Sequence, residues 1–191
     1  MMITASDFSG GIKAIPSDTI NIPGPESKYN GVSTAVATSK LTDSGGGFLQ
    51  VVNSSGKITN QGVQVGDVVY NTSVARSGVA TVTAVDSATT LSLSANIFPA
   101  TTDRDGYRIY RGRANAIPFQ LYCGGTAANP PLACDIYVTT IDGDSVFFEG
   151  VQPGEILPIA ISRVNAGAAA AGVNGNTNTL TTATGRYVAL N

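Results

Sequence analysis

The stretch CDIYVTTIDGDSVFFEGVQPGEILPIAISRV, residues 134–164, decides the fold of this chain. Apolar and polar residues alternate in it, and its runs are separated by Asp-Gly at 142–143 and Pro-Gly at 153–154. Alternation with a period of two predicts β-strands, and these dipeptides supply the backbone angles of tight turns. The stretch therefore predicts three antiparallel strands arranged as a meander. Because Pro158 cannot donate a ladder hydrogen bond, we expect the third strand to be an edge strand or to begin at Ile159.

The composition is that of short strands and tight turns with a weakly charged surface. The 191 residues include 22 glycines, and only 13% of them are charged, against roughly 25% in an ordinary soluble domain. A surface with so few charges is less protected against association than that of a typical monomer. An ordinary all-β domain and a protein built into an assembly both fit this composition.

The charge pattern argues against nucleic-acid and membrane partners. The formal net charge is −2, and the one local basic cluster lies within residues 104–113, where Arg108 and Arg111 accompany tyrosines. Phosphate neutralisation dominates nucleic-acid affinity, so this cluster is too small for that function. The chain has no apolar stretch near the roughly 20 residues that span a bilayer, and its N-terminus lacks a signal-peptide pattern. We expect a protein made in a cytoplasm, with no nucleic acid and no membrane as partner.

The common catalytic arrangements are missing from the sequence. It contains no histidine, so Ser-His-Asp and Cys-His arrangements cannot form, and two cysteines do not make a zinc site. Carboxylates are paired at positions 103/105, 142/144 and 149/155, but such residues beside glycine are ordinary turn formers. We therefore predict no catalytic, cofactor-binding or metal-binding residues and interpret the chain as a non-enzyme.

Cys123 and Cys134 bracket the Gly- and Pro-rich loop GGTAANPPLA. A hairpin across this loop would bring the two side chains within disulfide reach. A reducing compartment would keep them as thiols until the protein leaves the cell. The sequence leaves two states open: a disulfide, or two buried thiols at strand ends.

Residues 38–113 have the pattern of a separate β-module. Strand-like runs follow one another there, among them the apolar run at 68–70 and an alternating run at 79–85. Several short strands with turn signals between them predict a small closed or half-closed β-barrel. Residues 53–56 and 60–62 are interpreted as turn insertions in this module.

Two portions of the chain resemble virion structural proteins of tailed phages, in particular phages of cyanobacteria and other aquatic bacteria. The first portion carries GDVVYNT at 66–72, TVTAVD at 81–86 and LSLS at 91–94. The second carries PSDT at 16–19 and, after a long interval, IYVTTIDGDSVFFEGVQPGEILPIAISRV at 136–164.

The interruption of the second portion implies a discontinuous domain. Residues 1–37 and 114–191 would form an antiparallel β-sandwich or jelly-roll-like module, with residues 1–15 as an extended N-terminal arm. Residues 38–113 would be the inserted small β-barrel. The predicted fold class is all-β without significant helix.

The low charge, the Gly-rich N-terminal arm and this resemblance together lead us to expect a capsid decoration, or cement, protein on the outer surface of the virion. Such a protein would bridge neighbouring major capsid subunits as a homotrimer and stabilise the head, because it binds the assembled state only. The arm would add a strand to a neighbour. The candidate interface residues are Ile3, Phe8, Ile12, Ile15 and Arg163.

Two other virion functions are alternatives. A head-fibre module that binds host-surface glycans would use Tyr70, Tyr107 and Tyr110 as an aromatic platform, although the chain contains no tryptophan. A tail or neck adaptor is the other alternative. The number of copies per virion distinguishes an adaptor from a cement protein, whereas binding to a glycan array by the isolated insertion, residues 38–113, would favour the glycan-binding module.

Overall fold

The structure, a computed structural model, describes residues 11–24, 27–73, 76–99, 104–112, 118–126, 130–166 and 185–190. The chain divides into two compact units, Met1–Pro25 with Asn115–Asn191 (unit 1) and Glu26–Ala114 (unit 2). Both units are built from antiparallel strands, and the described ranges contain no α-helix. The predicted all-β class without significant helix is confirmed.

The described strands are short, as expected from the many turn residues. In chain order they are β1 (Gly11–Ala14), β2 (Ser27–Val32), β3 (Lys40–Thr42), β4 (Val51–Val52), β5 (Ile58–Asn60), β6 (Val68–Asn71), β7 (Gly78–Val85), β8 (Thr90–Leu93), β9 (Gly106–Tyr110), β10 (Phe119–Thr126), β11 (Cys134–Thr140), β12 (Ser145–Val151), β13 (Ile156–Val164) and β14 (Gly185–Leu190).

The described strands of unit 1 form an antiparallel sheet in the order β1-β14-β10-β13-β11-β12. Ile12, Ala189 and Leu121 lie directly opposite one another on three neighbouring strands, and all three are buried. Residues opposite each other point to the same face of a sheet. The sheet thus has an apolar face, which is compatible with the predicted sandwich-like module.

The three strands predicted within residues 134–164 are present, but they do not form the predicted meander. β13 pairs with both β10 and β11, whereas β12 pairs with β11 alone among the described strands. Val151 is the one buried residue of β12, whereas β13 carries the buried residues Leu157, Ile161 and Val164. The strand with more apolar surface to bury takes the inner position, and β12 lies at the edge.

The prediction that Pro158 puts its strand at an edge, or delays its start, is also wrong. β13 begins at Ile156 and lies between β10 and β11. Its ladder with β10 is irregular between Leu157 and Ile161, and its paired residues with β11 begin at Ile161. Pro158 lies outside the residues that are paired in register with β10 or with β11. Its missing N–H therefore interrupts neither ladder.

The described strands of unit 2 form a sheet in the order β2-β9-β6-β7-β8-β3, beside a separate two-stranded sheet of β4 and β5. Its core includes the fully buried side chains Leu41, Phe48, Val69, Leu91 and Ile109. These come from the sheet and from the segment before β4, so the small sheet is connected directly to the core.

The large sheet of unit 2 is not a closed barrel. Among the described strands β2 and β3 are its two edges, and they are not paired; one isolated bridge joins Ala35, in the segment after β2, to Thr42 of β3. β3 has three residues and pairs with β8. Of the predicted alternatives, closed or half-closed, the closed form is therefore wrong.

The strand β2 lies in unit 2. It pairs antiparallel with β9, with Tyr29 opposite Ile109. The sequence placed residues 26–37 in the discontinuous module with residues 114–191. The contacts of the chain instead place Glu26–Ala114 together. The pairing with β9 is the reason, because it ties residues 27–32 to the sheet of unit 2.

Candidate interaction surface and cysteine pair

The arm residues predicted to contact a neighbour have two different placements. Ile3 and Phe8 lie outside the described residues. Ile12 and Ile15 are only 4% and 8% exposed, and Ile12 lies opposite Ala189 in the pairing of β1 with β14. Residues 11–15 thus contribute to the core of unit 1, and the side chains of Ile12 and Ile15 are not exposed to a neighbour in this structure.

Arg163 makes its contacts within unit 1. Its Nε donates a hydrogen bond to Asn165 Oδ1 at 3.0 Å, and its Nη2 donates one to Thr139 Oγ1 at 3.2 Å. Thr139 and Asn165 are both buried. The guanidinium therefore satisfies polar atoms at the end of the β11–β13 ladder, which is a structural role.

The predicted carboxylate pairs have different placements, and Asp103 of the pair 103/105 lies outside the described residues. Asp142 and Asp144 are exposed in the turn between β11 and β12. Glu149 and Glu155 line an open groove of about 500 Å³ along residues 148–158, and Glu155 Oε2 accepts a hydrogen bond from the backbone N–H three residues before it, at 2.9 Å. Within the described part of the chain, no three or more potential ligand side chains are grouped as a metal site.

Two buried aspartates of unit 2 are paired with arginines. Asp105 contacts Arg76 at 3.1 Å, and Asp67 contacts Arg111 at 3.1 Å. Burial pushes the pKa of Asp105 upward, but hydrogen bonds from Arg76 and neighbouring polar side chains outweigh it, so the pKa lies below its usual range. Arg111, a member of the basic cluster, is thus a partner of Asp67 inside its own unit.

The three tyrosines considered as a glycan platform are buried. Tyr70 and Tyr110 pack edge to face with ring centroids 5.2 Å apart, and Tyr107 donates a hydrogen bond to Asp43 Oδ2. A platform for sugar stacking needs an exposed ring face. These rings contribute to the core of unit 2 instead.

An exposed apolar surface lies on residues 49–61, here called the apolar hairpin, which contains β4 and β5. All thirteen residues are exposed, and Lys57 is the single charged residue among them. Val52 lies opposite Ile58 across the two strands. Several exposed apolar side chains on one element mark an interaction site more often than isolated ones do. The exposed apolar residues are Leu49 (48%), Val51 (50%), Val52 (51%) and Ile58 (48%).

The apolar hairpin has a well-defined base and tip. At the base Val63 N–H donates to the carbonyl of the buried Phe48 at 2.8 Å. At the tip the side-chain oxygen of Asn53 accepts hydrogen bonds from the N–H groups of Ser55 and Lys57. Sequence reasoning missed this surface, because it interpreted residues 53–56 and 60–62 as turn insertions and the two valines before them, Val51 and Val52, as part of an ordinary strand. The sequence shows a hairpin pattern with several apolar residues and one charge, but this pattern does not distinguish an exposed strand from a buried one.

The two cysteines lie together in unit 1. Their sulfur atoms are 3.2 Å apart, and both cysteines are free thiols in this structure. Cys123 is buried and Cys134 is partly exposed, while the Tyr187 hydroxyl donates to Cys134 Sγ at 3.8 Å. Burial, followed by the hydrogen bond with Cys134, raises the pKa of Cys123 to about 12. The sequence suggested that a hairpin could bring the two cysteines together, and the structure places their sulfur atoms side by side.

The turn that follows β12 explains why the cysteines meet although β13 lies between their strands. Cys134 is paired with Val151 at the end of β12. The turn then carries the chain to β10, where Gly154 N–H donates to the Cys123 carbonyl at 2.7 Å and Cys123 N–H donates to the Glu155 carbonyl at 2.8 Å. Backbone contacts on both sides thus hold the two cysteines at one place.

Comparison with known proteins gives no relative: no protein-family model, no curated protein and no solved structure matches this chain. Among the described residues no helix has the length and apolar character needed to cross a membrane.

Proposed function

We propose that this protein is a structural component of a tailed-phage virion, a decoration protein that binds the outer capsid surface and stabilises the head by bridging major capsid subunits. The observation that carries the proposal is the apolar hairpin, which exposes four large apolar side chains on a well-defined base. The resemblance of residues 66–94 and 136–164 to phage virion modules supports the same class of protein.

The apolar hairpin supplies the contact in this proposal. Its valine, leucine and isoleucine side chains are about half exposed, so covering each one contributes on the order of 1 kcal/mol. Four such side chains give only a few kcal/mol, while association costs at least about 4 kcal/mol in lost translational and rotational freedom. A single hairpin therefore binds weakly.

Self-association as a homotrimer overcomes this weakness. A trimer that engages three equivalent capsid sites makes the second and third contacts intramolecular, which raises the overall affinity without any new contact. Such an arrangement requires three-fold symmetry of the partner surface. In this proposal the protein is made in the host cytoplasm, is located on the capsid surface, and binds neither nucleic acid nor membrane.

Copy number per particle tests the proposal. Purified virions are analysed by quantitative mass spectrometry, with the major capsid protein as the internal reference. A decoration protein is expected in hundreds of copies, set by the number of capsid subunits, whereas a ring of about six to twelve copies belongs to a tail or neck. A low copy number would move the protein to the tail or neck, and absence from particles would reject the virion assignment.

A further inference from the structure

The cysteine pair of unit 1 is arranged for a chemical step that the virion proposal does not require. Cys123 Sγ and Cys134 Sγ are 3.2 Å apart, against about 2.05 Å in a disulfide bond. Backbone hydrogen bonds to residues 154 and 155 hold Cys123, and the pairing with Val151 holds Cys134. A sulfur–sulfur bond therefore requires a small movement of two side chains and no rearrangement of strands.

We propose that Cys123 and Cys134 are an oxidation site, at which a small-molecule disulfide such as oxidised glutathione converts the two thiols into an intrachain disulfide that staples β10 to β11. The inference is independent of the proposed capsid function, because it depends only on the geometry of unit 1.

The reaction proceeds in two exchanges. Cys134, the more accessible of the two, loses its thiol proton and attacks one sulfur of oxidised glutathione, which forms a mixed disulfide and releases one glutathione thiolate. Cys123 loses its proton and attacks the Cys134 sulfur, which forms the intrachain bond and releases the second glutathione. The two protons end on the two glutathione thiols. Two cysteine thiols are oxidised and one glutathione disulfide is reduced.

The surroundings of Cys123 make the second exchange slow at neutral pH. The thiolate is the attacking species, and burial, the largest effect on the pKa of Cys123, keeps this thiol protonated. The other titratable groups around the pair are Glu155, Asp135 and Tyr187, and the carboxylate of Glu155 further raises the pKa of Cys123. The rate of closure therefore rises with pH, by roughly tenfold for each unit as long as the thiol is mostly protonated.

The bond closes a short ring, since the two cysteines are 11 positions apart. A ring of this size removes conformational freedom from the unfolded chain, and the expected rise in Tm is on the order of 10 °C. Because Cys123 is buried, the closed bond is shielded from reductants on one side.

The test uses the full chain, reduced and then incubated with a mixture of oxidised and reduced glutathione. Expected are a loss of two hydrogen atoms from the intact mass without added glutathione, a cross-linked peptide containing both cysteines, and a higher Tm. Closure is followed at pH 7 and pH 9. The partly exposed Cys134→Ser is the control variant, which keeps the buried Cys123 in place and is expected to show no rise in Tm.

Three results would overturn the proposal: two thiols that still react with an alkylating reagent after incubation, glutathione adducts that never resolve to the intrachain bond, or a disulfide that links two chains. An intrachain bond with an unchanged Tm would overturn the stapling role. Folding of the Cys134→Ser variant is checked by circular dichroism, and Cys134→Ala is the second variant if the first does not fold.

Discussion

Tyr107 Oη donates a hydrogen bond to Asp43 Oδ2 at 2.7 Å, and the bond lies directly over the backbone of Gly31. It joins β9 to the turn after β3, which are not neighbours in the sheet of unit 2. Burial, and then the hydrogen bond to Asp43, raises the pKa of Tyr107 well above its usual range. The tyrosine therefore stays neutral and continues to donate at any pH in ordinary use.

Gly31→Ala is expected to break this contact. An added Cβ would lie 2.6 Å from Tyr107 Oη and 2.7 Å from Asp43 Oδ2, so one of the two side chains must move. Crowding of this kind costs about 1–3 kcal/mol, and we expect unit 2 to lose that much stability in urea unfolding. Hydrogen exchange of the β9 amides locates the loss. Gly45→Ala is the matched control, because its Cβ meets nothing closer than 3.6 Å, and an equal effect of both variants would contradict the prediction.

Gly62→Ala is expected to disrupt the base of the apolar hairpin. Gly62 has a φ of +65°, and a Cβ there would lie 2.6 Å from the backbone nitrogen of Gln50. Backbone cannot yield as a side chain can, so we expect a loss of about 2–4 kcal/mol. Thermal unfolding measures it.

Comparison with Gly56→Ala separates the steric clash from the left-handed backbone as causes of this loss of stability. Gly56 has a φ of +79° with nothing within 4 Å of an added Cβ, so this variant carries only the left-handed backbone cost of about 1–2 kcal/mol. If Gly62→Ala is no worse than Gly56→Ala, the steric explanation is wrong.

Acid is expected to destabilise unit 2 through Asp105. Its pKa is lowered in the folded chain, so the stability it contributes is fully present above the unfolded pKa of about 3.9 and is lost as the pH falls through the folded value. Asp105→Asn should lower Tm at pH 7 and flatten its dependence on pH below about 4, because Arg76 then lacks its carboxylate at every pH. Asp142→Asn, in an exposed turn, is the control and should preserve the acid dependence of the parent chain.

Polar substitution of the apolar hairpin is expected to weaken capsid binding without loss of stability. Val52→Asn with Ile58→Thr removes one cross-strand apolar pair from a surface where both side chains are about half exposed. Stability should change by less than about 1 kcal/mol, while binding to heads stripped of the protein should fall roughly tenfold or more. Val36→Thr, equally exposed at 49% outside the hairpin, serves as the control; binding that falls equally in both would argue against the hairpin as the contact.

Local sequence patterns predicted where strands and turns lie, but not which strands pair. The turns at 142–143 and 153–154 were recognisable because Asp-Gly and Pro-Gly encode backbone angles within a few residues. The position of β13 between β10 and β11 depends on distant partners, and the missing N–H of Pro158 misled the prediction because an irregular ladder tolerates it. The apolar hairpin was missed for the same reason, since a valine at 51 or 52 has the same sequence signature whether it is buried or exposed.

The placement of the charged side chains determines how salt affects binding by this chain. Three ion pairs among the described residues, Lys40–Asp86, Arg76–Asp105 and Arg111–Asp67, tie charged side chains to one another. The apolar hairpin itself carries one charge. Dissolved ions screen charged contacts but not apolar ones. A particle held together through this hairpin would therefore tolerate the passage from a cell interior into fresh or saline water with little change in its attachment.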